Sequence, residues 1–122
     1  MSAFPSTAYI ASIYNLITGT THYLALYTSN PGVSDSGTEV TGGSYARQAI
    51  TWGSITAGAI SNSANITFTG IPTANITHWG IKSASTGGTL KLFGALNSSI
   101  ASITGDEVSI PIGNLSLNLV GS

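Results

Sequence analysis

The sequence predicts a mainly β domain, an antiparallel β-sandwich or jelly-roll-like fold with one short N-terminal helix. Three observations carry that prediction. Short apolar or alternating runs recur along the chain between turn signals such as Asn30-Pro31-Gly32 and Gly70-Ile71-Pro72. The run Tyr23–Tyr27 is apolar at every position, which calls for a strand covered on both faces. Only residues 6–18 carry helical spacing. A length of 122 residues suits a single domain, 1–122, with an extended arm at 1–5, a helix at 6–18 and a β-domain at 21–120.

Taken in order, Phe4-Pro5 holds the arm extended, and Ser6 is placed to cap the helix. Ile10, Ile13, Tyr14 and Ile17 then fall on one helical stripe. Gly19 is placed for a left-handed C′ stop. The helix is short and rich in β-branched residues, so it depends on packing against the sheet. Thr21 to Thr28 reads as the first strand, followed by a long loop from Ser29 to Ser44; loops of that length are functional or disordered. Tyr45 to Gly53 reads as the second strand, and Ser54 to Ile60 as a weak strand or a connection. Asn65 to Thr69 is a short strand ended by Gly70-Ile71-Pro72, and Ile76 to Lys82 is the next. A hairpin loop at Ser83–Gly88 leads into Thr89–Leu96, with Leu90, Leu92 and Leu96 on one face and Lys91 and Phe93 on the other. Asn97 to Ile103 has room for a further short strand. After a turn at Gly105-Asp106, Val108, Ile110 and Ile112 alternate, and then Leu115, Leu117 and Leu119.

Charge is the unusual feature. Charged residues are 6% of the chain, against about 25% in ordinary soluble domains. The net charge is −1. That suits a surface covered by copies of the same chain or by a larger assembly, or a virion or extracellular part; the plainer alternative is a neutral, hydroxyl-rich β-domain. Three basic residues neutralise few phosphates, so nucleic acid is not an expected partner. There is no polybasic patch or long apolar run for a membrane. The segment MSAFPSTAYIASIYNLITG lacks a basic n-region and does not read as a signal peptide. Without cysteine there is no disulfide framework and no thiolate metal site.

Chemistry-bearing residues are few. His22 and His78 form no metal-binding motif with each other or with an acid. Adjacent Asp106-Glu107 point apart if extended, and Asp35 and Glu39 share a loop without the further polar groups a glycosidase cleft needs. No GxSxG elbow occurs. Trp52 and Trp79 are each followed by glycine in an alternating run and read as packing residues, with sugar-stacking platforms as the alternative. Asn-x-Ser/Thr sequons at Asn65, Asn75, Asn97 and Asn114 are expected by chance in so Asn-, Ser- and Thr-rich a chain. The expectation is a protein with no catalytic residues, no cofactor and no metal.

The stretch Gly37–Gln48, GTEVTGGSYARQ, holds Glu39 and Arg47 on either side of Gly42-Gly43. Arg47 leaves this glycine turn beside Tyr45. It either folds back on Glu39 and pins the loop through a charge-assisted hydrogen bond, or both charges are solvated at the loop edge. In the order LALYTSNP, GTEVTGGSYARQAI, ITFTG, THWGI, TGG, LFGAL, GD, IPIG and LSL, the chain resembles a family of small tailed-phage structural proteins over about residues 5 to 120. Its members are tail-fibre, minor tail or head-decoration (cement) proteins, and no catalytic motif travels with them. The resemblance implies a virion component. The first expectation is a decoration protein on the phage head surface, a homo-oligomer in the form of a trimer, that bridges subunits of the major capsid protein. The alternative is a tail-fibre or minor tail module that binds a host-surface glycan. Assembly contacts are expected from Ser2, Ala3, Phe4 and Pro5 in the arm and from Glu39, Tyr45 and Arg47 in the loop.

Overall fold

The computed structural model describes residues 6–56 and 58–118. Helix α1 spans Thr7–Thr18, and the Ser6 hydroxyl accepts the Tyr9 N–H at 3.2 Å, as its capping position predicts. Ile10, Tyr14 and Ile17 are buried, so the apolar stripe is the packed face. The Tyr14 hydroxyl lies 2.8 Å from the Gly58 carbonyl and 3.0 Å from that of Leu117, which fixes the helix to the strands beneath it. Gly19 does not form the expected left-handed stop. It sits at φ −70° and ψ −21°, and its N–H closes on the Asn15 carbonyl at 2.9 Å, so the last turn ends in right-handed geometry.

Among the described residues eight strands follow: β1 (Tyr23–Tyr27), β2 (Gln48–Ala49), β3 (Ala59–Ser61), β4 (Ile66–Ile71), β5 (Ala74–Lys82), β6 (Leu90–Ser102), β7 (Asp106–Ile110) and β8 (Ser116–Asn118). One sheet has the order β2-β1-β5-β6, and two ribbons, β3-β8 and β4-β7, complete the fold; every pairing is antiparallel. Leu24, Leu26 and Ile81 from the sheet share one core with Phe68, Val108 and Leu117 from the ribbons. The mainly β, antiparallel fold with one helix near the N-terminus is therefore as the sequence predicts.

Several strands differ from their expected bounds. The expected strand Tyr45–Gly53 shrinks to Gln48–Ala49 plus an isolated bridge from Trp52 to Asn62. Tyr45 and Arg47 leave the ladder because their side chains are bound elsewhere, as described below. Thr89–Leu96 and Asn97–Ile103 merge into one strand, and the break seen at Asn97 is an irregularity: Ile76 pairs with Ile100, but His78 pairs with Ala95. A second irregularity pairs Ile81 with Leu92 and Lys82 with Leu90. Leu90 consequently turns to the face opposite Leu92, and its Cδ1 lies 2.7 Å from where a Cβ on Gly80 would stand. The expected face shared by Leu90 and Leu92 does not form. β4 continues through Gly70 to Ile71 on a bulge. Ile112 drops out of the expected alternation because β7 ends before Pro111, whose missing N–H cannot extend a ladder, and Ile112 is exposed. Leu119 lies outside the described residues.

Asn62, fully buried, binds the far end together. Its amide N–H₂ donates to the carbonyls of Ala64 and Pro111, and its Oδ1 accepts from the N–H groups of Gly113 and Leu115.

Candidate functional site: a clasped loop

β1 is covered by the core on its Leu24 and Leu26 face. Its Ala25 and Tyr27 face is buried as well, and the loop after it supplies polar partners there. The Ser29–Ser44 segment is not a free loop. Thr28 N–H donates to the Thr38 carbonyl and Val40 N–H to the Leu26 carbonyl, so residues 38–40 return along the edge of β1 and Val40 is buried. Tyr27 and Glu39 form an isolated antiparallel bridge.

The chain then crosses β4 at a contact that only glycines permit. Gly43 has φ +57° and lies against the Gly70 carbonyl, which a Cβ on Gly43 would approach to 2.5 Å. Gly70, at φ +63°, faces Ser44, whose N–H donates to that same carbonyl at 2.8 Å. This crossing delivers Tyr45 and Arg47. The Tyr45 ring stacks on Phe68, with centroids 5.9 Å apart and planes within 5°.

Three donors from two side chains, Arg47 and Tyr45, converge on Glu39. Arg47 donates from Nε to Oε2 and from Nη2 to Oε1, both at 2.8 Å, a bidentate fork. The Tyr45 hydroxyl donates to Oε2 at 2.8 Å and accepts the Leu26 N–H at 3.0 Å. Tyr45 thus replaces a ladder acceptor that a neighbouring strand would otherwise supply. Arg47 Nη1 reaches on to the carbonyls of Ala84 and Gly87, at 2.9 and 2.7 Å, and so ties the β5–β6 hairpin loop to the clasp. The Arg47 and Glu39 side chains keep 10% and 22% exposure, so this is a largely desolvated pair and not a solvated loop edge.

A second pair lies beside it. Lys82, buried at β5, binds Asp35, and the Tyr27 hydroxyl donates to the other Asp35 oxygen at 2.8 Å. Tyr27 and Lys82 stand on one face of the sheet because Tyr27 pairs with His78 and Tyr23 with Lys82. Burial pushes the Glu39 carboxyl up, but the hydrogen bonds from Arg47 and Tyr45 and the guanidinium charge outweigh it, so it sits below its ordinary value. Asp35 is likewise lowered: burial opposes, and Lys82 and Tyr27 prevail. Burial first, and the adjoining carboxylates next, raise both Tyr27 and Tyr45 well above the usual phenol range.

Among the expected contact residues, the structure brings Glu39, Tyr45 and Arg47 together; Ser2, Ala3, Phe4 and Pro5 lie outside the described residues. Lys82 and the Tyr27 hydroxyl were not singled out from the sequence, and Asp35 entered there only beside Glu39, as an unsupported glycosidase pair. The one available signal was that charges are so scarce that each buried one needs a partner. An open cleft of about 360 Å³ lies between the two loops, lined by Val40, Gly42, Ala46, Ser85 and Thr86 besides the clasp. The charged groups in it, Glu39 and Arg47, are bound to each other, which fixes the loop.

A family-level comparison matches residues 5–118 to the family described as Podophage GP4 fiber I protein gp80. The chain belongs to this family. No curated protein matches the sequence. Membership makes it a phage structural protein and places it among virion components, as its resemblance to tailed-phage structural proteins implied.

In this member of the fiber I family no group of His, Cys, Asp and Glu among the described residues is suited to hold a metal. His22 and His78 sit at opposite ends of β1, ~17 Å apart by strand rise, and their Nδ1 atoms meet Thr20 O and Thr77 Oγ1. Both indoles pack against the core, and Trp79 lies over Gly94, where a Cβ would come within 2.7 Å of the ring. No helix among the described residues is long and apolar enough to cross a membrane.

Proposed function

We propose that the chain is a non-catalytic structural subunit of the phage fibre apparatus, assembling by protein–protein contact. The observation that carries this reading is the match to a fiber I family over residues 5–118. The near absence of charge supports it, since a surface with little self-repulsion packs readily against neighbours. The clasp gives the Gly37–Arg47 loop a fixed shape, which lowers the ordering cost of docking it. In this reading Glu39, Tyr45 and Arg47 shape the contact loop, and the arm residues Ser2–Pro5 add to the contact. Binding of a host-surface glycan is a further capacity of such a module.

The second reading is head decoration, with the chain on the phage head surface as a homotrimer bridging major capsid protein subunits. The same neutral surface favours it, because a lattice covers much of each subunit. Copy number on purified heads and on the fibre-bearing fraction, by quantitative mass spectrometry, separates the two. The fibre reading expects few copies, confined to the fraction that carries fibres. A lattice-wide number on heads lacking fibres replaces it with head decoration.

A further inference from the structure

β6 is the edge of the four-stranded sheet and the longest strand of the fold, with 13 residues. Only β5 pairs with it among the described residues. Its outer edge is thus a row of backbone donors and acceptors without a strand partner. Edges of that length in monomers are normally blocked by charge, proline, brevity or bulges, and the two irregularities of β6 leave Leu92–Ala95 as its regular stretch. The sequence LKLFGALNSSIAS has one charge, Lys91, and no proline. The opposite edge of the sheet is blocked: β2 has two residues, and the returning loop covers the rest of β1. Helix α1 does not fill the space beside β6. A groove of about 280 Å³ runs there, lined by Ile13, Leu16 and Ile17 of the helix and by Lys91 and Leu92 of the strand. Leu16 is 75% exposed and Phe93 37%.

We infer that β6 is a self-association edge, at which a second copy of this chain adds its own β6 antiparallel about a two-fold axis. The occupant follows from the strand's own pattern. An axis through Phe93, inside the regular stretch Leu92–Ala95, sets Phe93 opposite its copy and Leu92 opposite Gly94, while the bulge takes Lys91 and Leu90 out of that register. The only charge on the edge thus lies outside the paired stretch, and two exposed aromatic rings meet across the strands. The result is an isologous dimer with one continuous eight-stranded sheet. The two-fold dimer does not depend on where the chain sits on the particle, but it excludes the homotrimer of the head-decoration reading.

The test is the mass of the full chain in solution by sedimentation velocity over a concentration series, for the natural sequence, Phe93→Lys and Phe93→Cys. The natural chain is expected to dimerise. Phe93→Lys sets two like charges across the axis and weakens the dimer about tenfold or more, with its circular dichroism unchanged. Phe93→Cys, the only cysteine present, is expected to form a disulfide-linked dimer under mild oxidation. A natural chain that stays monomeric at high micromolar concentration, or assembles as a trimer, overturns the inference. So does a dimer that survives Phe93→Lys at full strength and gives no cross-link through Phe93→Cys.

Discussion

The clasped loop and the open edge of β6 use charge in opposite ways. Four of the seven charged side chains meet in two ion pairs between the Ser29–Ser44 loop, Arg47 and Lys82. Along thirteen residues of β6 there is one. At the clasp, polar groups are largely withdrawn from water and satisfied by one another, including a tyrosine hydroxyl that serves as a ladder acceptor. At the edge, apolar side chains and backbone groups remain open. Scarce charge in this chain therefore fixes internal geometry and does little to keep copies apart.

The largest expected effect tests whether the clasp is structural. Glu39→Ala leaves the Arg47 guanidinium largely buried without its carboxylate and should cost about 3 kcal/mol in guanidinium chloride unfolding. Lys91→Ala on the edge should stay within about 0.5 kcal/mol. Equal, small losses in both variants would erase the contrast between the regions. Gly43→Ala comes next, at about 2 kcal/mol, because φ +57° and the Gly70 carbonyl both oppose a Cβ. If Gly43→Ala melted with the natural protein, the crossing would not be the constraint that positions Tyr45.

Tyr45→Phe keeps the stacking on Phe68 and removes only the hydroxyl, with an expected cost of about 1–2 kcal/mol. Hydrogen exchange at the Leu26 amide should rise with it, and unchanged protection there would mean that the ladder is closed by something other than Tyr45.

Acidity sharpens the comparison further. Glu39 and Asp35 are held below their ordinary values when folded, so the unfolded chain takes up protons first as pH falls. Their contribution is complete above about pH 5 and declines through and below the ordinary carboxylate range near pH 4. Tyr27 and Tyr45 are raised when folded, so stability also declines above about pH 10, where unfolded tyrosines ionise. Urea midpoints across pH should show this plateau in the natural chain and a shallower acid limb in Glu39→Ala; identical acid limbs would locate the sensitivity elsewhere.

Local patterns were legible. The spacing of Ile10, Tyr14 and Ile17 marked the buried helix face, the unbroken run Tyr23–Tyr27 marked a strand covered on both sides, and the glycine turn placed Arg47 to fold back on Glu39. Each depends on neighbours a few residues apart, so period and turn chemistry suffice. The strand bounds were less legible. A sequence period runs on through Tyr45–Gly53 and through Leu90–Leu92, while the ladder stops or bulges wherever a side chain finds a better partner across the molecule.

The sequence by itself determined a neutral, mainly antiparallel β chain with one amphipathic helix and a glycine turn between two opposite charges. Tertiary structure decided what those charges do. Asp35 and Lys82 are 47 positions apart, and they meet only because β1 pairs with β5 in the register that sets Tyr27 against His78. The Tyr45 hydroxyl finds Leu26 only because Gly43 and Gly70 let two backbones cross. Register across a sheet follows from the summed packing of distant faces, and no local spacing encodes that sum.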